Sequence, residues 1–438
     1  MLISSRLGKF GYSLADQALS VGGMFVVNIA LARVRSKEEY GTFALSYSVF
    51  TFLSGLHNAS ILEAYTIYGS GRYHHRFTDY RKVLWRTNGW MLAALSALLL
   101  AIWQCLRWMN STLASPALLG VALSSGALLT ASFMRRTFYM KRRPELAARF
   151  STFFFAGCMI LLALAVRHHL LNGLTAFLIV GLAWTLAGLL AGRWAREESG
   201  PANGEDFMHA EPGYWSEHWK YSRWVLVTAL VFQFTAQAYF WMVAGFVSVR
   251  EVAEMRALYN LVLPMDQVFA AIMLLALPQM ALQYAAGEHA ALRRLWQQCS
   301  LLFAGISAAF ALAVELGGSE LLHIVYGGKF DSVSSLLRWY ALLPVVMAFG
   351  NASNAALKAI ERPHAVFYAY LTSCAATFIL GVPLVIRFGL RGAIYGTLLS
   401  SASYTAALSS SFYRFHRSIR PGDGTAKEAG ACPRQLPA

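Results

Sequence analysis

The sequence predicts an all-α integral membrane protein with about twelve transmembrane helices, arranged as two parallel-repeat six-helix lobes with both termini on the cytoplasmic side. Three observations lead there. The composition is 57% hydrophobic and only 13% charged, with a mean hydropathy of +0.46. Apolar runs of membrane-crossing length recur along all 438 residues. Basic residues gather in short clusters between alternate runs. Soluble domains carry roughly 25% charged residues, so lipid is the solvent for most of this surface.

A bilayer core of about 30 Å needs about 20 apolar residues per helix. Windows of that size fall at 11–33, 42–67, 88–106, 116–134, 147–166 and 174–193, and again at 224–247, 257–279, 296–316, 339–358, 365–386 and 392–413. Helix is the expected state for each, because hydrocarbon leaves the backbone no other partner. Arg6 and Lys9 precede the first run, which continues without a small-residue cleavage site. It therefore reads as a retained helix rather than a signal peptide.

Residues 194–223 form the longest polar stretch and divide the windows six and six. The expected organisation is a lobe at 1–193, a cytoplasmic linker at 194–223, a lobe at 224–413 and a basic, disordered tail at 414–438. The linker is rich in Gly, Pro and acidic residues, with a short interfacial helix expected at its aromatic end. With the N-terminus inside, 26 of the 37 Lys and Arg residues fall on the cytoplasmic side, the bias that sets topology. Arg135-Arg136 and Lys141-Arg142-Arg143 contribute most to it. The net charge of +15 thus belongs to membrane topology, and no nucleic-acid partner is expected.

A weak internal repeat supports the division. Phe138 to Ala147 (FYMKRRPELA) stands 219 residues before Leu357 to Val366 (LKAIERPHAV), and each follows the fourth helix of its half. Six helices per half make the repeat parallel, about an axis along the membrane normal, and rocking of one half against the other follows from that arrangement.

Several segments are similar to those of a known family. The first helix ends in Ala30-Leu31-Ala32-Arg33, followed by Ser36-Lys37-Glu38-Glu39-Tyr40-Gly41. Arg256 to Leu261 (RALYNL) with Pro264 and Leu277-Pro278 resembles that family's eighth helix, and Ile324 to Phe330 (IVYGGKF) its ninth-to-tenth loop. The chain as a whole resembles the polysaccharide-exporter and lipid-linked oligosaccharide flippase branch of the multidrug/oligosaccharidyl-lipid/polysaccharide (MOP) transporter superfamily. That resemblance implies a V-shaped pair of lobes around a central cavity and residence in a bacterial inner membrane. It also implies a polyprenyl-pyrophosphate-linked oligosaccharide as substrate, moved to the outer leaflet by alternating access. Partners would be the lipid bilayer and the polysaccharide polymerase and glycosyltransferases of the same pathway.

Charges at the centre of a spanning helix cost about 2.5–3.5 kcal/mol each on insertion scales, so those present are functional candidates. For ion coupling these are Asp266, nine residues into its window beside the helix-kinking Pro264, and Asp16 and Glu63 nearer helix ends. For the substrate cavity, Asn351, Asn354 and Lys358 share one narrow face of the tenth helix. Gln17 and Asn28 share a face of the first, and Gln233 and Gln237 one of the seventh. Arg135, which corresponds to Asn354 at the 219-residue offset, Arg136 and Arg149 could grip phosphate oxygens in pairs. Cofactors and metals are not expected: His74-His75 and His168-His169 lack a third ligand, the five cysteines, including Cys432, show no disulfide spacing, and Gly327-Gly328-Lys329 is no phosphate-binding loop. No nucleophile–base set is legible. Two other functions remain open, a drug antiporter of the same superfamily and a membrane polysaccharide polymerase or ligase; the latter needs a larger outer loop than 317–338.

Overall fold

Helix after helix begins where the sequence places a cap or a proline. Ser36 accepts the Glu39 amide at 3.1 Å to open one helix, and Ser115 accepts that of Leu118 at 3.3 Å ahead of Pro116; both satisfy amides that the first turn leaves free. The computed structural model describes residues 2–70, 73, 76–110, 115–141, 143–197, 213–360 and 362–418. His74-His75, Arg142, half of the expected linker (198–212), and the tail from 419 with Cys432 lie outside the described residues.

The elements are α1 (Leu2–Val34), α2 (Lys37–His57), a π-helical segment (Asn58–Leu62), α3 (Glu63–Ser70), α4 (Phe77–Trp108), α5 (Pro116–Met140), α6 (Pro144–Arg167) and α7 (Gly173–Glu197). They continue with α8 (Tyr214–Phe246), α9 (Val249–Ala285), α10 (His289–Tyr326), a 3-10 turn (Asp331–Val333), α11 (Ser334–Tyr340), α12 (Leu343–Ala359), α13 (Pro363–Ala376), a second π segment (Thr377–Gly381) and α14 (Val382–Ser418). Among the described residues nine helical stretches are long and apolar enough to cross a membrane. The last, His364–Phe415, is broken at Gly389 (φ 58°, ψ −133°), a conformation open to glycine, so it holds two crossings. The run α2–π–α3 and the 37-residue α9 are more polar but long enough, and with them the count is twelve.

Several helices outrun their windows: α4 begins at Phe77, ahead of the window at 88–106, and α10 runs on to Tyr326, so the first half of the expected outer loop 317–338 is helix. At two further starts the packing gives the reason. The aromatic end of the expected linker, Tyr214 to Lys220, is the start of α8 itself and not a separate interfacial helix. Tyr214, His218 and Ser222 are buried there, and that tertiary packing extends the helix beyond its apolar window. The helix bearing Asp266 begins at Val249, eight residues before the apolar window, because its first turns pack their polar side chains inside the protein.

The repeat is visible in backbone detail. After α5, the Lys141 amide bonds Thr137 O at 3.0 Å, the Arg143 amide reaches Phe138 O at 3.0 Å, and Leu146 closes on Arg143 O at 3.1 Å. After α12, 219 residues on, Ile360 bonds Ala356 O at 3.1 Å, Arg362 reaches Leu357 O at 2.9 Å, and Ala365 closes on Arg362 O at 3.2 Å. Arg143 (φ −116°, ψ 67°) and Arg362 (φ −112°, ψ 58°) share one conformation ahead of the proline that opens the next helix. The non-helical angles of both arginines suit a residue that precedes proline.

The chain forms two compact units, Met1–Asn260 with Glu320–Val333, and Leu261–Ser319 with Ser334–Ala438. These are units of contact, whereas the six-helix lobes are a division by membrane crossings. The first unit has an aromatic core in which Tyr65, Tyr80, Phe133 and Tyr214 pack with Ile61, Leu62 and Leu84, and Phe154 stacks on Trp184 at 3.8 Å. The second is built on Phe269, Phe303, Leu357, Tyr404, Leu408 and Phe412. Leu164, Leu189, Leu301 and Ile379 stand exposed, as side chains that face lipid must.

Candidate functional site

Asp16 is wholly buried in the first unit, at the middle of α1 and not near its end as the window 11–33 suggests. Four donors satisfy it. Arg135 of α5 forks onto it, Nε to Oδ1 at 3.0 Å and Nη2 to Oδ2 at 2.6 Å. Tyr139, one turn beyond Arg135, donates to Oδ2 at 2.7 Å, and Ser151 of α6 to Oδ1 at 2.5 Å. This is the bidentate geometry in which guanidinium and carboxylate bind most strongly. The fork that the sequence offers to a phosphate is therefore occupied by an internal carboxylate.

Arg136 turns to the other side and donates to Oδ1 of Asn58 at 3.3 Å, a neutral acceptor on the π segment. Glu63, half-buried one residue past that segment, accepts from Tyr221 at 3.4 Å. Gln17 is exposed on α1, and Arg149 is exposed on α6. Gln233 lies against Gly55, where a Cβ would come within 1.6 Å of its Nε2, and Gln237 is buried. Two buried histidines flank the π segment: His57 meets Asn88 Oδ1 at 2.7 Å, and His218 bridges the Tyr80 hydroxyl and Ser60 O, each at 2.8 Å. His218 thus meets a carbonyl of the π segment, where the ordinary backbone ladder is interrupted.

Asn28 is also buried in the first unit. Its Oδ1 accepts from Tyr40 at 2.5 Å and from Asn260 Nδ2 at 3.0 Å, and Asn260 also reaches Tyr326 at 3.3 Å. Around this network Lys37 pairs with Glu254 at 2.7 Å, and Phe330 packs edge-on to Tyr40. Lys329 donates to the carbonyls of Ala32 at 2.8 Å, Arg33 at 3.0 Å, and Arg35. It thereby caps α1, where the partial negative charge of a helix C-terminus favours a cation. Burial, and then the Lys37 ammonium, hold Lys329 below the usual lysine range. Gly327 and Gly328 (φ 64° and 82°) supply the left-handed turn that brings the lysine back.

In the second unit Asn351 and Asn354 are half-buried and Lys358 is exposed, while Ala352, Ser353, Ala355, Ala356 and Leu357 are buried. The stripe is thus less buried than the rest of α12, but only Lys358 is exposed, and Asn354 Oδ1 is buried without a partner among the described residues. Asn354 Nδ2 donates to Tyr404 at 3.1 Å, and Tyr404 stacks on Tyr370 at 4.9 Å. Asp266 is exposed at the middle of α9, which runs on as helix through Pro264.

Sequence reasoning missed Tyr139, Ser151, Asn58, Tyr370 and Tyr404. Three of them carried a signal. Tyr139 is one helical turn from Arg135, and Ser151 and Tyr370 are again 219 residues apart, so the fourth and fifth helices of each half bring equivalent positions to a polar cluster.

No protein-family model and no curated protein matches the sequence. Solved structures do. An inward-facing multidrug resistance MATE family transporter of the MOP superfamily aligns with a TM-score of 0.75 at 12% identity, over 92% of this chain and 95% of that one. The chain has the MOP transporter fold. An outward-facing MATE transporter aligns at 0.66 and 10% identity, over 94% of this chain and 96% of its own. A MOP superfamily transporter from Pyrococcus furiosus Vc1 (DSM3638), described as having a binding pocket of reverse polarity, aligns at 0.66 and 10%, over 93% and 94%. On the MOP fold this chain is a multi-pass integral membrane protein, and its site chemistry is its own, since identities this low carry the backbone and not the side chains.

Proposed function

We propose that the protein moves a polyprenyl-pyrophosphate-linked oligosaccharide from the inner to the outer leaflet of a bacterial plasma membrane by alternating access. One observation carries the reading. Arg136 stands half-buried beside the Arg135–Asp16 pair with a neutral amide as its hydrogen-bond partner, so the polar region of α5 offers a cation to a ligand. A drug cation would call for the opposite polarity. Within the second unit taken by itself, the half-buried Asn351 and Asn354 and the exposed Lys358 are of the types suited to sugar hydroxyls and to phosphate. Both termini are cytoplasmic in this reading, and the substrate comes from glycosyltransferases and passes to a polymerase.

Drug antiport is the second reading, favoured by the MATE neighbours and by the buried carboxylate of Asp16. The experiment that separates them is reconstitution of the full chain in proteoliposomes. Movement of a fluorescent lipid-linked oligosaccharide to the far leaflet, weakened at least several-fold by Arg136→Gln, is the expected result. Exchange of an organic cation with no movement of the lipid-linked sugar would overturn the proposal.

A further inference from the structure

Arg256 lies seven residues into α9 and is 4% exposed. Its guanidinium makes no ion pair and no hydrogen bond among the described residues, and its Nε is wholly buried without a partner. The nearest acidic side chain along the helix, Glu254, is tied to Lys37 at 2.7 Å. Three rings surround the cation instead: Tyr47 of α2 with its centroid at 4.3 Å, Tyr259 of α9 at 5.5 Å, and Phe240 of α8 at 5.7 Å. Ring faces attract a cation, but they leave its five N–H donors unused. A buried charge is ordinarily paired as well as hydrogen-bonded, and this one is neither.

An oxyanion would supply what is missing, since two oxygens of a phosphate or carboxylate match the guanidinium fork. The surrounding rings would cover the apolar edge of an attached sugar or isoprenoid. We propose that Arg256, with Tyr47, Phe240 and Tyr259, is a binding subsite for an oxyanion group of the transported molecule, a pyrophosphate or the carboxylate of an acidic sugar. This rests on the transport reading above and adds to it the residue that grips the charge. The cage is shut in this state by contacts of α2: Trp241 donates to Ser48 at 2.8 Å, Phe52 packs edge-on to Trp241 at 5.5 Å, and Gly41 lies so close to Val249 that a Cβ would meet its carbonyl oxygen at 2.0 Å. Separation of α2 from α8 and the start of α9 uncovers Arg256, so the subsite is offered in one access state and withdrawn in the other.

The test measures binding to the purified full-length protein in detergent with three probes: a short polyprenyl pyrophosphate, the corresponding uncharged polyprenol, and glucuronate. Wild type should bind at least one anionic probe, and which one identifies the source of the oxyanion. Arg256→Gln should weaken that probe at least tenfold while the polyprenol is bound as before. Arg256→Lys keeps the charge, loses the fork, and should weaken it severalfold; it decides the matter if the glutamine variant does not fold. Unchanged affinity of the anionic probe in a folded Arg256 variant would overturn the subsite, and if wild type still moves lipid-linked oligosaccharide in vesicles the transport reading stands without it. Failure of wild type to bind either anion and to move the lipid-linked sugar would overturn both.

Discussion

Replacing Asp16 by Asn keeps its shape and one acceptor oxygen and removes its charge, which leaves the Arg135 guanidinium without its counter-ion. Breaking a buried pair from one side costs about 3–5 kcal/mol. Arg135 keeps 19% of its side chain exposed, so water shares the load and Asp16→Asn should fall at about 3 kcal/mol, the lower end of that range. Arg135→Gln leaves the wholly buried carboxylate held only by the Tyr139 and Ser151 hydroxyls, and should cost about 4 kcal/mol, nearer the upper end. The double variant contains neither orphaned charge, so its loss should be smaller than the sum of the two by about 2 kcal/mol. Equilibrium unfolding in mixed micelles, followed by intrinsic fluorescence, measures all four corners of this cycle. Single losses that add to within about 0.5 kcal/mol would refute the argument that the fork is the main partner of the acid.

Three further outcomes follow from particular contacts. Lys329→Met keeps the stem and removes the cap of α1; a loss of about 2 kcal/mol with faster amide exchange at residues 31–36 is expected, and unchanged exchange there would separate the lysine from the helix end. Gly41→Ala forces a methyl toward the Val249 carbonyl oxygen, at 2.0 Å in the unshifted backbone, and should destabilise by about 3 kcal/mol, the upper range for overpacking; a neutral effect would mean that α2 and α9 part freely. With the native cysteines removed, cysteines at 351, 354 and 358 should react with a membrane-impermeant thiol reagent in one access state while those at 352 and 356 stay inert. Equal labelling at all five would show that the stripe does not border water.

Much of the fold was legible because lipid imposes a length and a polarity on every crossing. Before α8 and α9 the windows start late for one reason: polar side chains of the first turns are buried by tertiary packing, and a hydropathy window cannot distinguish a polar residue in water from one satisfied inside the protein. The same blindness affected the site. Asp16 looked interfacial because its partners, Arg135 and Ser151, are 119 and 135 residues away in the chain, whereas the stripe on α12 was legible because its three members lie on one face of one helix.

The short segments that resemble the polysaccharide branch are explained by what they touch. Tyr40, Asn260 and Tyr326, one from each of three such segments, join Asn28 in a single buried network, and the Gly327-Gly328-Lys329 turn returns to cap the helix that ends in Ala32-Arg33. Residues far apart in sequence are thus restrained together by hydrogen bonds that a substitution at any one of them would leave unsatisfied in a buried place. The 219-residue repeat acts differently. It preserves the backbone turn at Arg143 and Arg362 but lets the side chains diverge, so that Arg135 and Ser151 close on an acid in one half while Asn354 meets the stacked Tyr404–Tyr370 pair in the other. One half therefore closes a charge on an internal acid, while the other leaves an amide against an aromatic pair at the equivalent place.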